Sequence, residues 1–184
     1  MTKNIVQVIV QVDEARANWW EEMKAKLAEP FPAEVVYWKP QKTWNPDDWG
    51  DKNKRNHKKA LAVAYIDARL VSDRLDAVFS PGGWQINHRQ EGDKLLTGLG
   101  VYDPFLEQWL WKWDVGYVDG NNDQGQVTKG TLSDGLKRAA VLWGVGRYLY
   151  YLPKTSVPYD PQKRKLVRNP ELPQWALPGG ACRP

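Results

Sequence analysis

Between Trp109 and Tyr117 every second residue is large and apolar: Trp109, Trp111, Trp113, Val115 and Tyr117, with Lys112 and Asp114 falling between them. A strand sends alternate side chains to opposite faces, so this run is a β-strand with one aromatic face and one polar face. An apolar strip of that length is normally covered by a helix or a neighbouring subunit; the competing reading is an open platform for stacking bases. Two earlier stretches also alternate, Trp84 to Gln90 and then Leu95, Thr97, Leu99 and Val101, separated by Glu91-Gly92-Asp93. Asp103-Pro104 breaks the chain before the aromatic run. Three strands joined by short turns make an antiparallel meander, and such a sheet needs helices to bury its apolar face.

The stretch from Val127 to Pro153 supplies one. Leu132, Leu136, Ala139, Ala140 and Trp143 recur at steps of three and four, the spacing of a helical apolar stripe. Thr131 or Ser133 is available to cap its start, and Gly144 and Gly146 end or kink it. Between the apolar positions sit Lys137 and Arg138, with Asp134 one turn back, placed to pair with Arg138 at i,i+4. A second helix is expected over Ala60 to Ser80, where Leu61, Ala64, Tyr65, Ala68, Val71, Leu75 and Val78 keep helical spacing before Pro81-Gly82-Gly83.

Upstream, residues 4–12 alternate loosely and read as a short strand. Asp13 to Ala28 reads as a helix capped by Asp13, with Trp19, Trp20, Met23 and Leu27 on its apolar side, and Glu34 to Trp38 as another short strand. The expected class is α+β: a three-stranded antiparallel meander flanked by two long helices, an α-β-β-β-α core, with an N-terminal helix and an extended C-terminal tail. The expected divisions are an extension at 1–33, the core at 34–152, and a Pro-rich basic tail at 153–184.

Residues 39–59 carry seven Lys or Arg against three Asp and show no apolar periodicity, so a long loop is expected there. Its Trp44 and Trp49, interleaved with cations, suit a groove for single-stranded nucleic acid or simply fold back on the surface. The net charge is only +4. Its positive part collects in this loop, in the helix that carries Lys137 and Arg138, and in the tail with Lys163, Arg164, Lys165 and Arg168. Segregation of this kind is the electrostatic footprint of a nucleic-acid binder, although solvated basic loops produce the same counts.

The chemistry of most enzymes is absent. There is no GxxxxGK[ST] loop, GxGxxG, HExxH or paired CxxC, and His57 and His88 are the two histidines. A magnesium nuclease could be assembled from Asp114, Asp134 and Lys137, but Asp134 is better explained as a partner of Arg138. No enzyme activity, cofactor or metal is expected. No apolar run approaches the roughly 20 residues of a membrane helix, the first residues lack a signal-peptide pattern, and the single Cys182 fits a reducing compartment. A cytoplasmic, nucleoid-associated protein is the corresponding expectation.

The stretch SDGLKRAAVLWGVGRYLY, residues 133–150, resembles the helix motif of the single-strand annealing proteins of the Rad-fifty-two type. YIDARLVSDRLDAVFSPGGW at 65–84 is similar to that family's other diagnostic stretch, and DVGY at 114–117 to its third strand. The likeness is greatest to the bacterial and phage branch and runs from about Pro30, through VVYWKP at 35–40, to ELPQWA at 171–176. The resemblance implies an ATP-independent protein that binds single-stranded DNA around a homo-oligomeric ring, phosphates against basic residues and bases outward. It places Lys137 and Arg138 as the basic pair of the groove helix, with Lys129 upstream and Lys39 near a phosphate-contacting position. Lys58 and Lys59 join these as candidate DNA contacts, and Asp134 as ion-pair support. Val141 stands where the eukaryotic branch has another Arg. Implied partners are single-stranded DNA, further copies of the chain, and a single-strand-binding protein, in recombination or double-strand break repair. A module that protects single strands without annealing them is the alternative.

Overall fold

The computed structural model describes residues 2–91, 94–116 and 129–180, with side chains described for 9–91, 94–115 and 130–180. The turn at Gly92-Asp93, the polar stretch 119–126, Tyr117, the Lys129 side chain and Cys182 lie outside these. Among the described residues, three α-helices, α1 (Thr2–Ala28), α2 (Ala68–Phe79) and α3 (Lys129–Trp143), accompany seven strands. These are β1 (Tyr37–Trp44), β2 (Lys59–Tyr65), β3 (Trp84–Glu91), β4 (Lys94–Asp103), β5 (Gln108–Gly116), β6 (Thr155–Asp160) and β7 (Lys165–Leu166). The protein is α+β, with two antiparallel sheets, β1-β2-β6-β7 and β3-β4-β5. It divides into two compact units, each built from two stretches of chain: residues 1–29 with 67–145, and 30–66 with 146–184.

In the first unit, the alternation of β4 is realised as a buried row of Leu95, Thr97, Leu99 and Val101. This face carries α3. The Trp143 Nε1 donates to the Leu99 carbonyl at 3.0 Å, and Lys112 Nζ donates to the Leu142 carbonyl at 2.9 Å while lying 4.3 Å from the Trp143 ring centre. On the other face, Trp111 and Trp113 stack at 5.6 Å and 26° and lie over the opposing Gly100 and Gly98 of β4. A Cβ at Gly98 would come within 2.7 Å of the Trp113 ring, so only glycine leaves space for it. Arg89 caps the same ring at 4.5 Å from its centre. The aromatic ladder therefore lies flat across its own sheet and is half-buried there.

The end of β4 is pinned to α1 through Asp103. Its fully buried carboxylate accepts from Arg16 Nε at 2.8 Å, Trp20 Nε1 at 3.1 Å, and the Phe105 and Leu106 amides at 3.0 and 3.2 Å. Burial alone would raise its pKa; the Arg16 and Trp20 bonds and the two amides outweigh that and hold it below the usual carboxylate value. Trp20 also stacks on Trp143 at 5.8 Å and 14°, and Met23 and Leu27 bury the rest of the helix face.

Three expectations give way here. Residues 4–12 continue α1 and are not a strand, and Asp13 is interior to that helix rather than its cap. Ile5, Ile9 and Val12 also keep helical spacing, and the helix propagates through them at one hydrogen bond per residue. The helix expected over Ala60–Ser80 is a strand and a shorter helix: β2, then α2 starting at Ala68 with Asp67 as its cap, accepting from the Arg69 amide at 2.8 Å. Ala60, Ala62 and Ala64 against Leu61, Val63 and Tyr65 satisfy period 2 as well as helical spacing, and pairing to β1 and β6 on both sides decides for the strand. Finally, α3 begins at Lys129, which puts Thr131 and Ser133 inside the helix; its end at Gly144 (φ 111°) and Gly146 (φ 66°) matches the expected stop.

In the second unit, β1 runs on through residues expected to be loop, as far as Trp44, because β2 pairs with it to that point. The remaining connection, 45–58, is compact. Buried His57 is hydrogen-bonded through Nδ1 to Thr43 Oγ1 at 2.7 Å and through Nε2 to the Asp51 carbonyl at 3.0 Å. A carbonyl accepts, so Nε2 carries the proton donated to Asp51.

Candidate nucleic-acid interface

The register of β1 on β2 shifts between Pro40 and Lys42, leaving Gln41 as an extra residue. Cross-strand partners share a face, so the pairs Tyr37–Tyr65, Lys39–Val63, Lys42–Leu61 and Trp44–Lys59 all lie on one side of the sheet. Without the bulge, a period of two would have put Gln41 and Thr43 beside Lys39. With it, Lys42 and Trp44 join Lys39, and Lys59 completes a row of cations interleaved with Tyr37, Tyr65 and Trp44. Lys39 Nζ sits 5.4 Å from the Tyr65 ring centre, and the Tyr37 and Tyr65 rings are 5.6 Å apart. The opposite face, with Ala60 and Ala62 buried, belongs to the core. This face is therefore the wet side of the sheet, and Tyr37, Lys39 and Lys42 are exposed on it.

Lys58 lies just before β2 and bonds Asp47 at 3.1 Å. Both groups are mostly exposed, so the pair is worth under about 1 kcal/mol and is readily exchanged for a phosphate.

In the first unit, the basic pair of α3 is split by geometry. Gly135 presses on Thr97 so closely that a Cβ there would lie 2.9 Å from the Thr97 Cβ. Thr97 stands opposite Asp114 on β5. Arg138, three residues after Gly135 and on the same helical stripe, thus arrives over Asp114, and its Nη2 donates to Oδ1 at 3.2 Å. The brace for Arg138 is this strand carboxylate and not Asp134, which makes no ion pair among the described residues. Lys137, rotated by one residue to the flank, is half-exposed with no carboxylate within 4 Å among the described residues.

The two sets of candidates belong to separate units: Lys39, Lys58 and Lys59 to the strand sheet, Lys137 and Arg138 to the helix on the meander. Asp114, one part of a conceivable nuclease, is engaged with Arg138. No cluster of three or more His, Cys, Asp or Glu that could hold a metal ion occurs among the described residues. No helix among the described residues is long and apolar enough to cross a membrane. Lys42, Tyr37 and Tyr65 were not singled out as site residues in the sequence. A Pro inside a strand-like run, Pro40, was the available sign of a bulge that changes which side chains share a face.

Comparison with known families assigns the chain to one class. The family described as Rad52/22 family double-strand break repair protein matches residues 112–166, from β5 through α3 to β7. The chain is also 39% identical over 164 residues to the single-stranded DNA-binding protein DdrA of Deinococcus deserti, covering 85% of this chain and 71% of that protein. To the DdrA of Deinococcus radiodurans it is 36% identical over 160 residues, 85% of this chain and 68% of that one. The chain belongs to the Rad52/22 family and is DdrA-like.

Proposed function

We propose that this protein binds single-stranded DNA and anneals complementary strands during double-strand break repair, without nucleotide hydrolysis and as a homo-oligomeric ring. The observation that carries the reading is the exposed face of β1 and β2, where Lys39, Lys42 and Lys59 alternate with Tyr37, Tyr65 and Trp44. Cations spaced along a strand give affinity for a phosphate backbone with little sequence preference, and interleaved rings accept bases of any kind. Lys137 supplies a further phosphate contact from α3, with Arg138 held in place by Asp114; Lys58 and Lys129 are auxiliary contacts. The relatives named as single-stranded DNA-binding proteins support the substrate class. Head-to-tail contacts that close on themselves suit a ring, and cellular partners would include a single-strand-binding protein at nucleoid DNA.

Mixing complementary oligonucleotides tests annealing. Duplex formation faster than the protein-free rate is expected; binding without acceleration would leave strand protection as the function. Light scattering tests the ring, and a monomer at working concentration would overturn it.

A further inference from the structure

We propose that Trp49, stacked on Trp44, is a platform for one unpaired nucleobase, extending the cationic face of β1 and β2 into the 45–58 connection. The inference rests on the single-strand-binding reading and adds to it a base-binding site with its own geometry. The two rings lie 5.6 Å apart at 14°, so Trp44 supports one face of Trp49. Trp49 is nevertheless 75% exposed, more than any other large hydrophobic side chain among the described residues. An indole held parallel to a supporting ring, with its other face in water, is the shape of a half-built stack.

The connection is ordered before any ligand arrives. Asn45 Oδ1 accepts from the Asp47 amide at 3.1 Å and Asp48 Oδ1 from the Gly50 amide at 3.0 Å, on either side of Trp49. Asp51 accepts from the Asn53 amide at 2.7 Å and from Asn56 Nδ2 at 2.9 Å, and His57 anchors the far end. A base arriving at Trp49 therefore has little ordering entropy to overcome. The charges are sorted to match. The carboxylates of Asp47, Asp48 and Asp51 are occupied within the connection, by Lys58, backbone amides and Asn56. Lys52, Lys54 and Arg55 are exposed and make no ion pair among the described residues, and Lys42 and Lys59 flank Trp44 on its own face.

A single exposed indole, backed by Trp44 and set among cations, fits a base and its phosphates better than an apolar protein surface, which would need a wider patch. Stacking uses the π-face of a base and leaves its pairing edge free, so the platform is compatible with annealing.

The test compares the full chain with Trp49→Ala and Trp49→Leu in binding, by fluorescence anisotropy, an end-labelled oligodeoxythymidine and an abasic strand of equal length. Both variants should bind oligodeoxythymidine roughly tenfold more weakly, bind the abasic strand as the parent does, and keep the parent's salt slope. Trp49→Tyr should restore affinity for oligodeoxythymidine. Equal losses on both strands, or no loss on either, would overturn the platform while the single-strand-binding reading stands. A parent chain that binds neither strand would remove that reading and the platform with it.

Discussion

Arg138 and Asp114 meet at 3.2 Å because Gly135 and Thr97, one helical turn and one cross-strand pair away, let α3 settle onto the meander. The consequence is that the two adjacent cations of the helix have different environments. Arg138 shares its charge with a carboxylate on the sheet; Lys137 has no such partner among the described residues. Asp114→Asn should release part of the Arg138 charge to the solvent side. Affinity for single-stranded DNA should rise roughly two- to fivefold at low salt, while stability falls by about 1 kcal/mol for the lost half-buried pair. Anisotropy titrations and denaturant melts read the two effects separately.

Lys137→Ala should weaken binding uniformly across sequences and lower the salt slope by about 0.7, the contribution of one phosphate contact on a single strand. Lys42→Ala should do the same. Gln41→Ala should leave the affinity unchanged, because the bulge takes Gln41 out of register with the Lys39 face. An equal effect from Gln41 and Lys42 would mean that the strand face has been misassigned.

Gly135→Ala reverses the usual rule for helices. Alanine in a helix interior is favoured over glycine by about 1 kcal/mol. At this position, however, the new methyl group would press into the Thr97 side chain. A net loss of about 1–3 kcal/mol is expected from overpacking, visible as a lower denaturation midpoint. Adding Thr97→Ala should recover much of it, as coupled neighbours do.

Acid should weaken the link between α1 and β4. The Asp103 carboxyl is held below its unbound value of 3.8, so it binds a proton more readily in the unfolded chain. Its contribution is therefore fully present well above pH 4, declines as pH falls below the unfolded value, and is lost through the lower folded one. Asp103→Asn should cost about 3 kcal/mol near neutral pH by leaving Arg16 without its buried partner, and should flatten the pH dependence of stability below pH 4. Chemical denaturation at pH 7 and at successive acid values checks both.

Much of this protein was legible from local pattern. The alternation of Leu95 to Val101 and of Trp109 to Val115 identified two strands, the stripe from Leu132 to Trp143 identified α3, and Gly144 and Gly146 its end. The residues 133–150 also carried the family. These succeed because period and stop chemistry are properties of a segment and its own two faces. What the segment could not decide were competitions that a distant partner resolves. The run Ala60 to Tyr65 suits helix and strand equally until β1 and β6 pair with it, and the cations of 39–59 read as loop charge until a bulge at Gln41 aligns three of them on one face. Arg138 likewise had a local candidate partner in Asp134, and the sheet beneath it offered Asp114 instead. Sequence by itself therefore determined the element types wherever one periodicity was unambiguous, along with the family and the chemical character of its surface. Tertiary structure alone decided register, and register governs which side chains stand together, because pairing energy is shared with strands that lie far away along the chain.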